Sequence, residues 1–133
     1  MNNELAAARR VMMSIRASFP DDASSIDERM TREGFDPNDA PYIWIEHFSQ
    51  CTTDALIERN AARAEAHLKL LSRLLDAGDE RTAKCIDVAY VETLMRGVED
   101  QAIKKEGWKL VPANLRRLYI AMWGQQPFMG KDA

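Results

Sequence analysis

Long apolar runs are missing from these 133 residues; the longest hold only a few residues, far short of the roughly 20 that a membrane-spanning helix requires. Cysteine is scarce too, with only Cys51 and Cys85. A secreted disulfide scaffold would carry more cysteines at loop positions, so free thiols in a reducing cytosol are expected and the protein reads as cytoplasmic. The six glycines are scattered and form no phosphate-cradling loop, and neither a zinc-protease helix nor a serine elbow is present. The opening stretch to Phe19 lacks a basic region ahead of an apolar one, and Arg9, Arg10 and Arg16 interrupt it. It reads as mature structure rather than a targeting segment. No period-two strand stands out, since "YIWI" is short and lies inside a helical phase.

What is present is ordinary globular material, 46% hydrophobic and 29% charged, enough for one domain. Apolar residues recur at threes and fours in Leu5, Ala8, Met12, Ile15 and Phe19, which predicts a first helix over 3–19 stopped by Pro20. A short helix over 23–33 ends at Gly34, and "GFDPNDAP" is turn chemistry. Pro41 opens a helix carrying Trp44, Phe48, Cys51 and Ala55 on one face. Asn60 caps the next, over 61–77. Gly78 is then expected in a left-handed conformation, with Asp79 capping a helix that runs to Gly97. A helix over 99–106 and a last one from Pro112 follow. The expected fold is an all-α single domain of about six helices over residues 1–124, with 125–133 as a frayed tail. Its antiparallel helical hairpins would form a bundle or a short α-solenoid. Phe48, Leu68, Leu71, Ile86, Tyr90 and Leu94 are expected in the core.

Candidate chemistry is thin. His47 and Cys51 stand four apart on one predicted helix, a spacing that lets two ligands share a metal. Cys51 lies on the apolar stripe, however, and His67 and Cys85 could complete a set only if the fold gathered them. No metal or other cofactor is expected. "DPNDAPYIWIE" begins like a calcium loop but fails at Ala40, Pro41 and His47. Asp87, on or beside a buried face, is the one candidate general acid or base. "IKKEGWKL" combines basic residues with Trp108, the ingredients of base stacking, but a solvated helix end with a packed Trp explains it better.

Charge is unevenly spread. From Asp21 to Glu46 eight acidic residues face only Arg29 and Arg32, a local balance of −6, whereas Ile103 to the end carries +4. An acidic segment beside turn-rich backbone attracts basic partners. Asp36, Asp39 and Glu46, with Tyr42 or Trp44 as aromatic anchors, are the candidate partner-binding residues. Trp44 also lies on the helix stripe, a position equally suited to the core.

The stretch Thr53–Met122 carries "LLSRLLDAGDE", then "CIDVAYVETL", then "VPANLRRLYIAM". In these features it resembles a family of small all-helical bacterial proteins often encoded beside polymorphic or contact-dependent toxins, some of them thought to be immunity proteins. The shared motif is structural: Gly78 and Asp79 make an elbow, and Leu115 and Leu118 pack the last helix. The resemblance implies a non-enzymatic protein that neutralises a cognate toxin, of nuclease type, by covering it through an acidic surface. It implies no direct nucleic-acid or membrane partner. The alternatives are a helical scaffold or adaptor for another protein and, from a different class, an enzyme using Asp87.

Overall fold

Residues 3–130 are described by the structure, a computed structural model. Among the described residues seven α-helices follow one another: α1 (Asn3–Ser18), α2 (Pro20–Arg32), α3 (Pro41–Ile57), α4 (Ala61–Ala77), α5 (Glu80–Cys85), α6 (Gln101–Leu110) and α7 (Ala113–Trp123). Short 3-10 turns occupy Pro37–Asp39 and Pro127–Met129, and a π-helical turn spans Ile86–Val91. The described residues contain no strand. The fold is an all-α single domain, as the 3.6-residue periodicity requires.

α3 is the axis of the molecule. It touches α1, α2, α4, α6 and the π-turn, and Trp44, Ile45 and Phe48 on it are completely buried. Met12 and Ile15 from α1, Met30 from α2, Leu68 and Leu71 from α4, and Ile86 and Tyr90 from the π-turn complete the centre. All six residues expected in the core are buried there.

Several expectations need correction. α1 does stop ahead of Pro20, at Ser18, with Phe19 non-helical. Pro20 also opens α2 as its first residue, where its fixed φ fits and its missing N–H costs nothing, so the second helix starts three residues earlier than expected. The helix expected from Asp79 to Gly97 is α-helical for only six residues before it widens into the π-turn. Gly78 is not left-handed: its φ is −90° and ψ 169°, extended backbone open to any residue. Crowding explains the glycine instead. A Cβ there would lie 2.5 Å from Thr82 Cγ2 and 2.9 Å from the Leu74 carbonyl oxygen, so a side chain would wedge the elbow open. Asp79 does cap α5, its carboxylate accepting from Thr82 N at 2.9 Å.

The frayed tail is also corrected as far as Gly130. Phe128 and Met129 are buried, and Phe128 closes an aromatic cluster with Trp108 and Tyr119, ring centroids 5.8 and 6.3 Å away. Apolar burial of this size anchors a terminus that polarity and glycine content would leave loose. Residues 131–133 lie outside the described part.

Candidate protein-binding surface

The turn between α2 and α3 is shaped by local hydrogen bonds. Phe35 N donates to Met30 O (2.9 Å), Asn38 N donates to the Asp36 carboxylate (3.0 Å), and Arg9 Nε from α1 reaches Asn38 O (3.3 Å). The result is an ordered loop with Asp36 and Asp39 exposed and Phe35 42% exposed between Glu33 and Asp36. Met13, also exposed, stands one turn along α1 from Arg9.

The structure separates the five candidate residues. Asp36 and Asp39 sit on the loop surface. Tyr42 is half-buried and packs on the core. Glu46 is half-buried, in the wall of a shallow cleft with Arg29, His47, Gln50 and Arg96. Trp44 is fully buried, which corrects its assignment as an exposed anchor. Its indole stacks near Phe48 at 6.4 Å, lies under the Arg16 guanidinium, and donates from Nε1 to Asp27 Oδ1 at 2.9 Å.

Part of the acidic charge is spent internally. Asp27 takes both Arg16 nitrogens at 2.6 Å, and that guanidinium holds its carboxyl below the usual carboxylate range. Asp22 pairs with Arg63 and His67, and Glu33 lies 3.3 Å from His47. The free acidic surface is therefore smaller than the sequence stretch Asp21–Glu46, and on the loop it consists of the exposed Asp36 and Asp39. Helical periodicity does not single out Phe35, which belongs to no helical phase. That is itself the signal, since an aromatic in a Gly-Phe-Asp-Pro turn has no periodic partners to bury it.

A polar chain that periodicity does not reveal runs from the first turn of α2 into the core. Asp22 is held by Arg63 and accepts from His67 Nε2 (2.9 Å), so the neutral ring's Nδ1 accepts from the Thr52 hydroxyl (3.0 Å), which in turn accepts from Tyr90 OH (2.8 Å). His67, Thr52 and Tyr90 are completely buried. Burial pushes the His67 pKa down against the opposing pull of Asp22, and pushes the Tyr90 phenol up.

Asp87 has a buried Oδ1 with no hydrogen-bond partner, and burial, seconded by Glu92, raises its pKa. Asp87 lines none of the clefts around Arg59, Asp22, Arg96, Lys84 and Lys105. His47 and Cys51 share the wall of one cleft with Asp22 and Arg63, whereas His67 is engaged in the chain above and Cys85 is buried. Burial lifts the thiol pKa values to about 11 for Cys51 and about 12 for Cys85, so both are poor nucleophiles at neutral pH. Among the described residues no three His, Cys, Asp or Glu side chains gather as a metal site. No described helix is long and apolar enough to cross a membrane. The Trp108 ring is covered by Tyr119, Phe128 and the Arg116 guanidinium rather than open to stacking.

Fold and surface together define a small all-helical domain with a polar-seamed central helix and an acidic, aromatic-tipped loop. Residues 12–124 match the family described as Domain of unknown function (DUF7674), and the chain belongs to that family. No curated protein and no solved structure matches it. The family match begins well before Thr53, so it takes in the acidic segment as well as the stretch that carries the sequence resemblance.

Proposed function

We propose that this domain is an immunity-type protein that neutralises a basic protein toxin, of nuclease type, by covering it with the loop between α2 and α3. The observation that carries the reading is Phe35, an exposed aromatic beside the carboxylates of Asp36 and Asp39 on an ordered loop. A central aromatic supplies affinity on desolvation, and surrounding charges mainly steer the approach of a basic partner. The bond from Arg9 and the Asp36 cap hold the loop before binding, which lowers the ordering cost. The resemblance to proteins encoded beside toxins supplies the partner class.

The test is co-expression with the product of the neighbouring gene, followed by co-purification and a growth assay. The chain is expected to bind that product and relieve its toxicity. Phe35→Ala should weaken the complex by about 2 kcal/mol or more, chiefly through faster dissociation. Asp36→Asn with Asp39→Asn should slow association and flatten its salt dependence. Parental kinetics in both variants would sink the loop as the docking surface, and a neighbouring product that neither binds nor harms growth would sink the immunity reading.

A further inference from the structure

At the opposite end of α3, roughly 24 Å along the helix from the acidic loop, the α3–α4 elbow and α6 line a half-open cavity of about 300 Å³ with the exposed Arg59 on its rim. Leu56, Ile103, Gly107 and Leu110 give it apolar walls, and Arg59, Glu106 and Lys109 supply its polar groups.

Two residues of this wall run against their local backbone preference. Arg59 is left-handed, φ 61°, at the end of α3, where Arg59 N bonds Leu56 O (3.1 Å) and Asn60 N bonds Ala55 O (2.8 Å). That closing position is normally given to glycine or asparagine, because a Cβ is strained there. Gly107 does the reverse, standing inside α6, where glycine weakens a helix. A Cβ on it would come within 2.9 Å of Leu56 Cδ1, so the glycine lets Leu56 approach α6 closely. An arginine where glycine belongs and a glycine where a side chain belongs line one cavity. Departures of this kind concentrate at functional sites.

The charges at the cavity do not cancel. Lys109 Nζ is 3.1 Å from Glu106, whereas Arg59 has no carboxylate partner among the described residues. One positive charge is left over, beside apolar walls and at the low end of the size range for small-molecule pockets.

We infer that this cavity binds a small monocarboxylic acid with an apolar body, the body lying against Leu56, Ile103 and Leu110 and the carboxylate meeting Arg59. The site is separate from the proposed toxin-binding loop and stands or falls without it.

Octanoate and 1-octanol are suitable probes, one charged and one not, titrated into the full chain by calorimetry and by amide NMR. Octanoate should bind and shift the amide resonances of Leu56, Arg59, Ile103, Gly107 and Leu110 before others, and 1-octanol should bind at least tenfold more weakly. Arg59→Gly removes the cation and also relieves the left-handed strain, so the variant should fold with an equal or higher melting temperature. It should lose tenfold or more of the octanoate affinity and keep that for 1-octanol. No octanoate binding up to millimolar concentration, shifts centred elsewhere, or unchanged affinity in Arg59→Gly would each overturn the assignment.

Discussion

His67 shows how one side chain couples the acidic segment to the core. As a neutral ring it donates to Asp22 and accepts from Thr52; protonated, it would have two donors, and the Thr52 hydroxyl would have to turn its proton away, toward Phe48 O or Tyr90 OH. Burial accordingly holds its folded pKa below the ordinary value of 6.5. A lowered pKa means that the unfolded chain takes up the proton first. The stabilisation is complete above about pH 6.5 and is lost as pH falls from there through the folded value. Urea unfolding at pH 7, 6 and 5 should therefore show falling stability. His67→Gln should flatten that slope while costing about 1–3 kcal/mol at pH 7, because buried partners lose a bond. Since His47 is present in both proteins, an unchanged slope in the variant would show that His67 does not govern acid sensitivity.

Among the elements, α3 and the π-turn are made for each other. The turn leaves the Tyr90 carbonyl to accept from Ser49 Oγ (2.8 Å) and Thr93 Oγ1 (3.2 Å). Thr53 Oγ1 accepts from Met95 N (2.9 Å), which helps hold that buried residue at φ 61°. Ser49, Thr52 and Thr53 are thus a fully buried polar seam rather than a solvent face. The elbow between α4 and α5 depends on close approach instead. Gly78→Ala should destabilise by about 1–3 kcal/mol, the usual cost of overpacking, as read by the denaturation midpoint. A neutral result would mean that Thr82 can move aside freely.

At the scale of the molecule, the C-terminal segment completes the domain. Phe128 covers Trp108 and Tyr119, and Lys104 stands over the Phe128 ring at 5.6 Å. Phe128→Ala should cost about 3 kcal/mol and raise the accessibility of Trp108 to a fluorescence quencher. Stability equal to the parent would place this segment outside the cooperative unit. The two proposed sites lie near opposite ends of α3, so substitutions in one should leave binding at the other unchanged to within a few tenths of a kcal/mol.

Sequence alone determined the helical class, the spans of α3 and α4, the caps at Asn60 and Asp79, and the core around Phe48, Leu71 and Tyr90. Each follows from periodicity and capping, which act over a few residues. It also placed the negative charge in the segment before α3. Only the tertiary structure decided which charges are free, because Arg16 and Arg63 come from other helices to neutralise Asp27 and Asp22. It likewise decided that Trp44 is core and Phe35 surface, that the π-turn after α5 meets the Ser49 and Thr52 hydroxyls of α3, and that Phe128 returns to cover Trp108. Those outcomes depend on partners distant in the chain, whose approach no local pattern encodes.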